Sequence, residues 1–200
     1  MQLAISTATA ACSVALLHGD EVMASQHEIV GRGHAEHLIP MIQALPGEGR
    51  ADMIWVDCGP GSFTGTRVGL AAARALGLAW GIPVFGFSSL SLIAANAGAS
   101  SGRVAVALPG GHGELFVQEF DLEPLAPVSA VRSLSPAAAA AQVASPWVLG
   151  SGAELLVSTR GFGTAETMLP CAADVARLPG ALRTLPPSAI YVREPDARAA

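Results

Sequence analysis

The chain of 200 residues contains no lysine. Eleven basic residues, all arginine and scattered from Arg32 to Arg198, stand against 16 acidic ones, for a formal net charge of −5. With no basic run, the lone chain is expected to bind nucleic acid or an anionic membrane poorly. Long hydrophobic runs are missing too. Residues 75–102 carry no charge, but Gly81-Ile82-Pro83 interrupts them, and Ser88, Ser89, Ser91 and Asn96 dilute them below what a membrane span needs. No basic residue precedes Arg32 and polar residues come early, so a signal peptide is not expected and the reading is cytoplasmic. Cysteine is sparse. Cys12, Cys58 and Cys171 are odd in number, lack close pairing and have no adjacent histidine, which excludes a disulfide framework and reads as reduced, buried, small apolar residues.

What is present is apolar mass: 51% of the residues are hydrophobic and 14% charged, enough to fill one compact unit or two lobes of about 100 residues each. Leu3–Ser6, Cys12–Leu17 and Val22–Glu28 read as an antiparallel meander. His34–Leu45 carries a helical stripe of Ala35, Leu38, Ile39, Ile42 and Leu45, ended by Pro46-Gly47. Met53–Val56 is a buried strand, Thr64–Trp80 a long helix, Val84–Phe87 a strand, and Ser88 caps a helix running to about Ala97. The small, glycine-rich stretch 96–102 reads as a lobe boundary, dividing the chain into 1–101 and 102–200. Beyond it, Arg103–Leu108, Glu114–Phe120 and Leu125–Val131 are strands. A helix follows from Ser135-Pro136, then a strand at Trp147–Leu149 and short helices at Ala153–Val157 and Ala172–Leu178. The same order of elements thus occurs twice, predicting a duplicated α/β unit with a mixed sheet in each lobe. Pro-rich ends such as Pro186-Pro187 and the 194–200 tail read as loosely held.

The most specific stretch runs from Cys58 to Gly69, between a strand and a long helix. A glycine-rich loop feeding a helix N-terminus allows an anion site. It is not a phosphate-binding P-loop, because Gly61 and Gly65 enclose only three residues and no lysine exists. It is not a dinucleotide fingerprint, because Thr64 occupies the third glycine position. On spacing alone, a tight turn with Thr64 as N-cap is favoured. Gly65, Gly69, Ala73, Gly77 and Gly81 recur at every fourth position and form a bare ridge whose neighbour is either the chain's own sheet or a partner helix. His34 and His37 share a helix face, but no third ligand has suitable spacing, so an exposed face is preferred to a metal site. Ser62 lacks the flanking glycines of a nucleophile elbow, and no nucleophile and base can be paired.

Ile5 to Leu16, His34-Ala35-Glu36-His37-Leu38-Ile39-Pro40-Met41 and Gly59 to Gly69 resemble the TsaB family in order and spacing, as do Gly113 to Phe116, Gly150-Ser151-Gly152 and Tyr191-Val192-Arg193. The resemblance is dense over the first hundred residues, thin after Phe120, and the second lobe is short for the family. It implies the actin-like ATPase fold, with two ribonuclease-H-like lobes. It also implies a non-catalytic scaffold subunit in the synthesis of threonylcarbamoyladenosine on tRNA. The implied partners are TsaD, which transfers the threonylcarbamoyl group, and TsaE, an ATPase. The chain is expected to form a homodimer when TsaD is absent and to reach tRNA only through the complex. Family pairing through first-lobe helices favours a partner-facing ridge, with Gly65, Gly69, Ala73, Gly77, His34 and Leu38 as interface residues. The metal motif of TsaD has no counterpart at Ser89-Leu90-Ser91-Leu92-Ile93, so no metal is expected. Ser6 and Pro109 stand where this fold places Mg²⁺-organising carboxylates. Ser6, Thr7, Thr9, Pro109, Gly150 and Gly152 are therefore expected to be vestigial nucleotide loops. No cofactor of the chain's own is implied, with room for a nucleotide at the partner interface. The alternative function is an ATP-dependent phosphotransferase of the actin and sugar-kinase fold, which the missing carboxylates disfavour.

Overall fold

In a computed structural model that describes residues 1–98 and 102–192, the apolar runs become two mixed sheets. The first is built from β1 (Gln2–Ser6), β2 (Ala11–His18), β3 (Glu21–Ile29), β4 (Met53–Asp57) and β5 (Val84–Phe87) in the order β3-β2-β1-β4-β5. β1 is antiparallel to β2 and parallel to β4, because the β1–β2 connection is a short loop while β4 and β5 are reached through helices. One face, with Leu3, Ile5, Val14, Leu16, Ile54 and Val56, packs under α1 (His34–Gln43) and α2 (Phe63–Trp80). The other carries Ala4, Ala15, Leu17, Trp55 and Phe87.

α3 (Ser89–Ala94) is short and wholly buried because it serves both lobes. Leu92 joins the first-sheet core, while Leu90, Ile93 and Ala94 pack with Val104, Val106, Leu108 and Phe120 of the second. The second sheet contains β6 (Arg103–Pro109), β7 (Leu115–Leu122), β8 (Leu125–Pro127), β9 (Arg132–Leu134), β10 (Trp147–Leu149) and β11 (Thr164–Glu166). Its order is β11-β10-β6-β7-β8, with β9 also on β7. β6 is antiparallel to β7 and parallel to β10, which is parallel to β11, so the second sheet repeats the connection pattern of the first. The duplicated α/β unit expected from the element order is therefore present, as in actin-like ATPase folds. α4 (Pro136–Gln142) and α5 (Ala153–Arg160) cover its outer face through Ala139, Val143, Ala153 and Leu156.

The expectation that everything after residue 102 belongs to the second lobe is corrected. A 3-10 segment at Ala172–Arg177 crosses back to the first sheet, where Ala172, Val175 and Leu178 cover Ala15, Leu17 and Trp55. The Ala172 amide donates to Ser13 Oγ (2.8 Å), and Leu185 exchanges both backbone hydrogen bonds with Gly86 on β5. These contacts are long-range and leave no trace in local periodicity. Pro186-Pro187, expected to be loosely held, is instead tied to the first lobe, the Pro187 carbonyl accepting from Arg74 Nη2 (2.6 Å). The 194–200 tail and positions 99–101 of the lobe boundary lie outside the described residues.

Candidate functional site

At the C-terminal end of β1 the fold gathers a buried polar group. Ser6 stands there, and its Oγ donates to Asp57 Oδ2 at the end of neighbouring β4 (2.7 Å). Asp57 Oδ1 accepts from Ser89 Oγ at the start of α3 (2.6 Å) and from the Gly59 amide (2.8 Å). The carboxylate is fully buried. Burial pushes its pKa up, outweighing the hydrogen bonds from Ser89, Ser6 and Gly59 that pull it down. Asp57 thus ties together two strand tips, the glycine loop and the helix that leads to the second lobe. The sequence reading ended this strand at Val56 and passed over Asp57. The available signal was an aspartate closing an apolar run directly before Cys-Gly-Pro-Gly.

The loops beside it are tied inward as well. Thr7 Oγ1 donates to the Gly65 carbonyl (2.7 Å), and His34 Nε2 donates to the Thr9 carbonyl (2.8 Å). A Cβ at Gly61 or Gly65 would overlap the carbonyl of Ala8 or Thr7, so both glycines allow the loop to lie on the β1–β2 backbone. The N-cap of α2 is Ser62, not Thr64: its Oγ accepts from the Gly65 amide (3.1 Å). In the second lobe, Pro109 is exposed at the end of β6. The Gly150–Gly152 turn lies on β6: the Gly152 amide donates to the Ala107 carbonyl (2.9 Å), and a Cβ at Gly150 would overlap that oxygen. Cys58, beside Asp57, is buried and its thiol is pushed up to about 12 by desolvation, so it stays protonated and inert.

The expected interface set is corrected by burial. Gly65, Gly69, Ala73 and Gly77 all face inward: a Cβ at Gly69 would overlap the Thr7 hydroxyl, one at Gly77 a Val84 methyl, and Ala73 is fully buried. The bare ridge exists so that α2 can lie close on β1 and β5. Leu38 lies in the same core, and His34 is buried against Thr9. His37 points elsewhere, to Glu28 (3.1 Å), so the two histidines do not converge. What α2 presents outward is the opposite side: Thr64, Ala71, Ala75 and Leu78 are exposed, Leu78 by 87%. Ile39 on α1 is 41% exposed. Between the starts of α1 and α2 lies a cleft of about 480 Å³ lined by Arg32, His34, Glu36, Ser62, Thr64 and Val68. No helix among the described residues is long and apolar enough to cross a membrane.

Residues 20–131 match the family model for TsaD, tRNA N6-adenosine threonylcarbamoyltransferase. An uncharacterized Mycobacterium tuberculosis protein is 32% identical over 211 aligned residues, covering 98% of this chain and 93% of the relative. Escherichia coli TsaB, a tRNA threonylcarbamoyladenosine biosynthesis protein, is 35% identical over 125 residues, 59% of this chain and 54% of its own length. Among solved structures, YeaZ from Pseudomonas aeruginosa superposes with a TM-score of 0.75 at 31% identity, covering 88% of each chain. The family-model match and this likeness in sequence and fold over nearly the whole length place the chain in the TsaB/YeaZ family.

Proposed function

We propose that the chain acts in threonylcarbamoyladenosine synthesis on tRNA as a non-catalytic scaffold that pairs with and stabilises a TsaD-type subunit and offers a surface to a TsaE-type ATPase. It works in the cytoplasm, holds no cofactor of its own, and meets tRNA only in the assembled complex. In the absence of the TsaD-type subunit it pairs with a second copy of itself. The inward commitment of Ser6, Thr7, Thr9 and Asp57 supports the non-catalytic part of this reading, since these groups hold the fold rather than a substrate.

The observation that carries the pairing part is the outer side of α2. Ala71, Ala75 and Leu78 form an exposed apolar strip on a helix that lies within the residues matched by the family model. Small side chains at successive turns let a second helix approach closely, and an exposed leucine fits a pocket on it. Pairing through this strip replaces pairing through the buried glycine ridge. Leu78→Arg is expected to abolish co-elution with the cognate TsaD-type subunit while shifting the melting temperature of the lone chain by no more than about 2 °C. Retained co-elution would remove α2 from the interface.

A further inference from the structure

The last described residues form a strap. Leu185 adds to the free edge of β5 through mutual backbone bonds with Gly86 (2.6 and 2.9 Å), and the Ile190 amide donates to the Cys58 carbonyl (2.8 Å). Ala189 and Ile190 pack on the core under α2. Two arginines of α2 then clamp the strap from the side: Arg74 Nη2 donates to the Pro187 carbonyl (2.6 Å), and Arg67 Nε and Nη2 donate to the Tyr191 hydroxyl (3.3 and 3.1 Å). The Arg67 guanidinium also lies 3.5 Å from the centre of the Phe63 ring. Phe63 and Tyr191 remain 62% exposed each, so this Phe63–Arg67–Tyr191 group is solvent-facing although each member is fixed by its neighbours.

Its position on the helix matters. At 100° per residue, Arg67 and Arg74 flank one side of the Thr64–Ala71–Ala75–Leu78 strip, and Val68, which lines the cleft with α1, flanks the other. The strip is therefore bordered by α1 on one side and by the strap on the other. We infer that the strap is the second border of the pairing face, with Tyr191 as a positioning residue that holds Arg67 and Phe63 for the partner subunit. The inference rests on the pairing reading given above. Its occupant is a protein chain rather than RNA. An arginine held between an aromatic face and a tyrosine hydroxyl is the composition of an interface anchor, and the net charge of −5 opposes a polyanion. Both guanidinium groups of the border are already engaged by the strap, so what they offer a partner is a fixed, partly apolar surface with little side-chain freedom left to lose.

The test uses the full-length chain and its cognate TsaD-type subunit, measuring the dissociation constant by calorimetry and the melting temperature of the lone chain. Tyr191→Ala is expected to weaken pairing about tenfold, and Tyr191→Phe, which keeps the ring but releases Arg67, by about threefold. Neither should move the melting temperature by more than about 2 °C, because the ring is mostly exposed. Affinity within twofold of the parent for both variants overturns the inference. So does a large loss of melting temperature with affinity retained, which makes the strap a staple of the first lobe and nothing more. Leu78→Arg separates the two levels: if it abolishes pairing while Tyr191→Ala does not, only the strap inference fails. If the parent chain does not pair, both fail together.

Discussion

Asp57 concentrates much of the chemistry of the first lobe in one side chain. Removing it by Asp57→Ala strands the Ser6 and Ser89 hydroxyls and the Gly59 amide without their buried acceptor. An orphaned buried donor costs about 1–3 kcal/mol, so a loss of about 3 kcal/mol or more is expected. In a chain of this size that is a melting-temperature fall of roughly 6–12 °C, read by calorimetry. Asp57→Asn keeps an acceptor for Ser89 and Gly59 and should cost far less. The comparison has a pH signature. Burial raises the folded-state pKa of Asp57 above its unfolded value, so the folded chain binds the proton more tightly. Between those two values stability falls as pH rises, and above the folded pKa the penalty is complete. Relative to Asp57→Asn, the parent should therefore gain stability as pH is lowered through that window and keep a constant difference above it. Urea unfolding across pH reads this, and a difference of the opposite slope would show that hydrogen bonding outweighs desolvation. The strand before it was legible but the residue was not, because a charge at the end of an apolar run reads as the strand's exit and the partners Ser6 and Ser89 lie 51 and 32 residues away in sequence.

At the scale of the element, α2 shows what a small-residue pattern can and cannot say. Its length, its stop at Gly81 and the bareness of the Gly65–Gly77 ridge were all legible, since they depend on local spacing. The direction of the ridge was not, because a close sheet and a close partner helix require the same small residues. Burial decides for the sheet. Gly69→Ala should therefore act on folding rather than on pairing: the added methyl gains up to about 1 kcal/mol of helix propensity but meets the Thr7 hydroxyl, which is itself bonded to Gly65. A net loss of about 1–3 kcal/mol is expected in thermal or urea unfolding. A stability equal to or above that of the parent would mean that Thr7 can yield. Strand positions were equally readable for β1 to β5, whereas three-residue β11 is too short to carry a period and its role as the counterpart of β5 appears only in the sheet order.

At the scale of the whole molecule, the second sheet sits as an insertion within the first lobe, between α3 and the segment that returns at Ala172. The duplication was legible because each half repeats its element order, but the return was not, because its contacts span 159 residues from Ala172 to Ser13 and 128 from Pro186 to Cys58. This threading has a consequence for synthesis. A ribosome delivers the first sheet early and its cover last, so the face bearing Ala15, Leu17, Trp55 and Phe87 waits, uncovered by Val175 and Leu178, while the second sheet is made. A nascent chain arrested at residue 170 should be cut by protease within its first lobe under conditions that the released chain resists. Equal resistance at both lengths would mean that the sheet is sealed without its cover. Tyr191 follows both sheets in the chain, so a partner that uses the border proposed there meets a first lobe whose opening strands and returning segment have already joined.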